Sequence, residues 1–153
     1  MITRSVMRVC VALVALPTLM GCGQDNGYEA AAYQAKLGKV NDARMAMVKV
    51  ADSGNIQAMA WLMQDATAQG LQLASARKQF VVWAERCAEK GNATCAESAG
   101  IFYWSGIDGA IDFEMAEKWF IKAKANGSLD ATAWLDDVKK RKPASSSIRK
   151  LEA

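Results

Sequence analysis

Two serines in this chain stand three residues before a lysine: Ser75 before Lys78, and Ser147 before Lys150. On a helix each pair shares a face, so a neutral lysine amine could take the hydroxyl proton and leave a nucleophile. The four cysteines offer different chemistry. Cys10 lies in an apolar start, Cys22 closes it, and Cys87 and Cys95 form C-x7-C. That last pair could be a disulfide or two small buried thiols. There is no histidine. Ser–His and Cys–His couples, histidine zinc sites and histidine pH switches are thereby excluded. The remaining residues suggest no metal and no cofactor.

The serine–lysine spacing matches the S-x-x-K of penicillin-recognising enzymes, but neither S-D-N nor K-T-G accompanies it. It also occurs twice, once in a polar tail, which shows how little the pattern demands. The carboxylates Asp136, Asp137, Glu114 and Glu117 fall on polar helix faces and read as solvated. The expectation is a protein that does no chemistry.

Charge removes another class. The chain carries 19 basic and 16 acidic side chains, yet residues 22–138 hold 11 basic and 15 acidic ones. From 139 onward six basic residues face one acid. A mildly acidic body with a short basic tail (143–153) lacks the basic stripe and interleaved aromatics of a nucleic-acid binder.

The elements that position these residues follow from a period. Gly54, Gly91 and Gly127 stand 37 and 36 residues apart, and each is followed four residues later by Ala58, Cys95 or Ala131. Trp83 and Trp119 repeat at 36, eight residues before their glycines. Such a period means stacked helical hairpins. The expected helices run over 28–37, then from a cap at Asn41 or Asp42 to Ser53, and from about 57 to 69. A loop over 71–76 precedes a return helix ending near 90, with Phe80, Val81, Ala84, Cys87 and Ala88 as its buried stripe. Next come 95–105, a helix capped by Asp112, and a last helix before Pro143 that closes the stack. Gly100, mid-helix, predicts a close approach by a neighbouring helix. The two prolines lie at the edges, as they must where one inside a helix costs roughly 3 kcal/mol.

Residues 1–21 read as a signal peptide: Arg4 and Arg8, an apolar run over 9–16, then Leu19-Met20-Gly21-Cys22. That ending resembles the bacterial lipobox. The resemblance implies cleavage before Cys22, a thioether-linked diacylglycerol on its sulfur and an acylated amine. Each buried methylene adds about 0.8 kcal/mol, so several chains would anchor firmly. Gly23 rather than an aspartate follows the cysteine, which by likeness to enterobacterial lipoproteins implies the outer membrane, facing the periplasm. Residues 22–27 read as a short flexible tether.

The unit carrying Ala96, Gly100, Tyr103, Gly106, Gly109, Asp112, Ala116, Trp119, Ala123 and Gly127 resembles a Sel-one-like repeat, a relative of the tetratricopeptide repeat. In the second unit Ala76 and Ala66 stand where the third has Asp112 and Tyr103, and the first unit is degenerate. The resemblance implies an all-α, right-handed solenoid of antiparallel pairs over 28–142, about three repeats and a cap. It also implies that Cys87 and Cys95 are bridged, as in the cysteine-rich secreted branch of that family. Trp83, Trp119 and Tyr103 become packing positions. Trp61 and Trp134, each seven residues after a repeat glycine, become candidates for the concave face, with Asp65, Ile101 and Trp104 beside them. The implied activity is binding of a protein partner by an envelope scaffold or adaptor. Neutralisation of a toxin by an immunity protein is the second reading, and weak β-lactam binding or hydrolysis the third.

Overall fold

The glycines that set the period in sequence also set it in space. The computed structural model describes residues 22–142, and side chains from residue 27 on. The leader, the second serine–lysine pair and the tail beyond 142 lie outside the described residues, as does the side chain of Cys22. Gly54, Gly91 and Gly127 hold φ of +100°, +85° and +94°, a left-handed conformation that side-chain-bearing residues adopt only under strain. The side chain after each then accepts from the backbone N–H three residues on; Asn55 and Asn92 are helix N-caps, whereas the helix after Gly127 begins only at Ala131, behind Asp130. Asn55 accepts from the Ala58 N–H at 2.9 Å, Asn92 from Cys95 at 2.9 Å, and Ser128 from Ala131 at 3.2 Å. The three donors are buried, at 0–3% exposure, so only small side chains fit there.

Seven helices result among the described residues, and no strand. They are α1 (Cys22–Lys36), α2 (Val40–Asp52), α3 (Ile56–Gln69), α4 (Ala74–Glu89), α5 (Ala93–Ser105), α6 (Phe113–Ala125) and α7 (Ala131–Arg141). Every extensive helix–helix contact joins elements consecutive in the chain. One core runs from Ala31 of α1 to Ala131 of α7, rich in alanine, with Met47, Met59, Leu62, Trp83 and Trp119 as its bulk. A second gathers Ala116, Phe120 and Val138, with Trp104 and Trp134 at its edge.

Consecutive units are also tied on their surface by a device that repeats at 36–37. Arg86 lies over the Trp83 ring at 4.4 Å and reaches back to Asp52 at 2.8 Å. Lys122, 5.5 Å from the centre of Trp119, bonds Glu89. The Lys122 ammonium holds the Glu89 carboxyl below the usual carboxylate range. Exposed pairs of this kind are screened by solvent and add little to stability, so they set register more than stability.

Four expectations shift. α1 starts at Cys22, and residues 22–27 continue it as helix where a flexible tether was expected. α2 starts at Val40 with Lys39 before it and no side-chain cap. Asn41 and Asp42 therefore fall inside the first turn, where Asn41 accepts from Arg44 at 2.9 Å. Residues 74–76 belong to α4 rather than to the loop, with Ala76 fully buried. α4 buries Ala76, Trp83, Ala84, Cys87 and Ala88, leaving Phe80 and Val81 half-exposed. Its stripe is turned because α4 lies between α3 and α5 and serves both. Asp112 caps α6 as expected, accepting from Glu114 and Met115.

Gly100 behaves as its position implies. A Cβ there would lie 2.5 Å from Phe120 Cε1 and 2.6 Å from Cδ1. Phe120 is fully buried and stacked on Trp134 at 5.5 Å, so the ring has little room to move. Gly100→Ala gains about 1 kcal/mol of helix propensity and loses roughly 1–3 kcal/mol to overpacking. The expected outcome is a lower denaturation midpoint with an unchanged slope; an unchanged or higher midpoint would mean that α5 and α6 are not in close contact.

Tyr103 donates to Glu85 Oε1 at 2.7 Å, and burial followed by that bond holds its phenol protonated well above the usual 10. A raised pKa means stability fully present below pH 10 and lost as pH rises beyond it. From pH 9 to 12 the parent protein should lose stability more steeply than Tyr103→Phe; parallel curves would show that the phenol titrates normally.

Candidate functional site

Among the described residues a concavity lies between α3 and α5, helices that are not neighbours in sequence. α3 presents Ala60, Met63, Gln64, Thr67 and Ala68, a run at i, i+3, i+4, i+7 and i+8 that a single helix face requires. α5 answers with Cys95, Ser98, Ile101, Phe102 and Ser105, again one face. α4 lies behind them and sends Phe80 into the gap, stacked on Phe102 at 5.8 Å. The result is a groove in two adjoining compartments, of about 550 and 300 Å³, which share Phe80 and Ser98. Leu71 and Ile107 close the smaller end. Among the described residues no charged side chain lines either compartment.

The wall of this groove is covalently fixed. Cys87, at the end of α4, and Cys95, in the first turn of α5, are bonded, with Cα atoms 5.7 Å apart. Both are buried in the main core. The bridge spans the Gly91 turn and so locks the angle at which α5 leaves α4. It is the pairing that the family resemblance implied.

The expected partner-binding residues divide. Ile101 lines the smaller compartment. Trp61 is half-buried and packs against the main core, outside the groove. The Asp65 side chain is 8% exposed and accepts from Nε and Nη2 of the Arg44 guanidinium, at 2.5 and 2.9 Å. Its bond to that group raises the Arg44 pKa, and Gln69 adds a third donor at 2.8 Å. So enclosed a carboxylate ties α3 to α2. Trp104 and Trp134 meet edge to face at 5.2 Å, and Phe120 stacks on Trp134. Trp104 Nε1 donates to Asp137 at 2.7 Å, and Trp134 Nε1 to Glu97 at 3.3 Å. These two tryptophans join α5, α6 and α7, and neither lines the groove.

Other candidates are placed as follows. Ser75 and Lys78 are both exposed on the first turns of α4, and no hydrogen bond joins them. Asp137 and Glu117 are more engaged than solvated carboxylates would be: Asp137 also pairs with Arg141, and Glu117 with Lys142 at 3.1 Å. No group of three or more acidic, cysteine or histidine side chains among the described residues could hold a metal. No described helix is long and apolar enough to cross a membrane.

Sequence reasoning missed Met63, Phe80, Phe102 and above all Ser98 as groove residues. The available signal was a small residue at the seventh position after Gly91, where the flanking units carry tryptophan.

Cutting the bridge tests its role. The ring it closes is short, so the chain-entropy contribution is about 2.5 kcal/mol. Cys95→Ser should lower the thermal midpoint under oxidising conditions and leave it unchanged under strong reductant; an equal loss in both would make the effect one of packing. Neither a protein-family model nor a curated protein matches this chain.

Proposed function

We propose that this chain is a lipid-anchored envelope protein of the Sel-one-like, tetratricopeptide-like class. Its helix pairs stack as a right-handed solenoid, and it acts as an adaptor by holding a segment of another protein between α3 and α5. The observation that carries this reading is the groove itself: apolar, uncharged, and walled by helices that the disulfide and the capped glycine turns keep apart. An apolar cleft with a few polar rims is the usual form of a recognition site. The solenoid is supported by extensive contacts that join helices consecutive in the chain, and by a side-chain bond after the glycine turn that recurs three times at an interval of 36–37. The anchor is supported by the Leu19–Cys22 ending. The body would then stand directly on the outer membrane, facing the periplasm. Ser75 and Lys78 show no arrangement that would activate a hydroxyl, which favours binding over hydrolysis.

A photoreactive residue at Gln64, on the rim of the groove, should crosslink one envelope protein in living cells, whereas the same residue at Thr132 on α7 should not. Ser98→Trp, which fills the groove with the side chain that sibling units carry, should cut that adduct at least about tenfold while helicity is retained. A partner captured equally well by Ser98→Trp would overturn the reading. The mass of the membrane-extracted chain tests the anchor separately, since it should begin at Cys22 with diacylglycerol attached.

A further inference from the structure

The groove lies where one repeat lacks an aromatic cluster that the next repeat builds. Counting from the repeat glycine, Trp134 occupies the seventh position of its unit. Its indole is enclosed by Phe120, seven residues before the same glycine, and by Trp104 and Glu97, thirteen and six residues after the preceding one. One unit back, these four positions hold Ser98, Ala84, Thr67 and Ala60. Each is smaller than its counterpart, and Ser98, Thr67 and Ala60 line the larger compartment. The two sites follow left-handed glycine turns in the same register, at Gly91 and Gly127, and after each the next side chain accepts from the N–H three residues on. One copy is therefore filled by its own rings, and the other is open to about 550 Å³.

We infer that the groove takes a phenyl or indole ring presented by an uncharged segment of a partner protein. This rests on the reading of the groove as the partner site, and it specifies the chemistry. The filled copy shows which shape this backbone arrangement encloses: a flat ring, stacked on one aromatic and met edge-on by another. The open copy keeps an aromatic wall of its own, since Phe80 stacks on Phe102 and both reach the groove. Ala60 stands where Glu97 accepts the Trp134 N–H, so the groove lacks that acceptor and a phenyl ring fits at least as well as an indole. A charged neighbour on the incoming segment would meet no counter-charge along the lining, and desolvating it there is unfavourable. The exposed Gln64 and Thr94 at the rim leave polar groups for the segment's backbone.

The test uses N-acetylphenylalaninamide as the probe and amide NMR of the whole mature chain as the readout. Binding should perturb Ala60, Thr67 and Ser98 first, and be at least about tenfold tighter than for N-acetylalaninamide, as burial of a ring predicts. The lysine analogue should be no better than alanine. Ser98→Trp should abolish the perturbations. Should that variant misfold, Thr67→Trp, which copies Trp104 in the same register, must do so instead. Equal affinity for the phenylalanine and alanine probes, or shifts centred elsewhere, would overturn the inference. If the Gln64 crosslink persists alongside such a result, the groove remains the partner site and only the aromatic specificity falls. If both fail, both readings fall together.

Discussion

Everything in this fold depends on how three helices begin. A glycine in the left-handed region turns the chain, and the next side chain, Asn55, Asn92 or Ser128, bonds the N–H of a small buried residue three positions on. Each cap contributes about 1 kcal/mol, which is little beside a whole domain. Its importance is geometric. In α3 and α5 the bond is an N-cap that fixes where the helix starts after the turn, and in all three the small donor lets the chain sink against the preceding pair. At intervals of 36–37 residues the same bond follows the glycine turn that precedes α3, α5 and α7.

Given such corners, the rest sorts by side-chain size. Alanines dominate the core, and close helix approach replaces bulky interdigitation. Phe120 lies so close over Gly100 that even one methyl there would collide. Surface ties such as Arg86 to Asp52 are individually weak, but they link each unit to its predecessor at the same place. Among the described residues one buried side-chain group remains unsatisfied. Trp119 Nε1 has no hydrogen-bond partner although its residue is 2% exposed. Lys118, 4.9 Å from the ring centre, lies over the π face and does not meet the N–H. We have no physical account of why that donor is left alone.

The scaffold was legible in the sequence to a degree the site was not. Glycine spacing, Asp112 as a cap and Gly100 as a contact point rest on backbone constraints that few residues can meet, so residue type alone reveals them. The turned stripe of α4 was not legible, because a helix flanked by two others buries a wider arc than a simple amphipathic pattern marks. Trp61, Asp65, Trp104 and Trp134 drew attention as large or charged groups on first helices. Their partners are long-range: Arg44 for Asp65, Asp137 and Arg141 for Trp104, and Glu97 for Trp134. Local spacing carries no record of such pairings. The groove was harder still, since it is made by what Ser98, Thr67 and Ala60 lack.

The position of the disulfide bears on why an open groove is compatible with a stable fold. Filling the site with a tryptophan would bury apolar surface and add roughly 1.5–3 kcal/mol. The second unit forgoes that contribution, and the Cys87–Cys95 bridge sits at its corner, with Cys95 itself in the groove wall. A short ring of this kind contributes about 2.5 kcal/mol, a matching amount. The bridge also acts on the angle between α4 and α5, beside a gap that only Phe80 of α4 reaches into and that no ring from α3 or the start of α5 fills. The third unit, which has its rings, has no bridge: Ala123 and Ala131 occupy the positions of the two cysteines. Covalent closure and aromatic filling thus alternate between the two units. Such a substitution is what a repeat needs when one of its copies must keep its interior accessible.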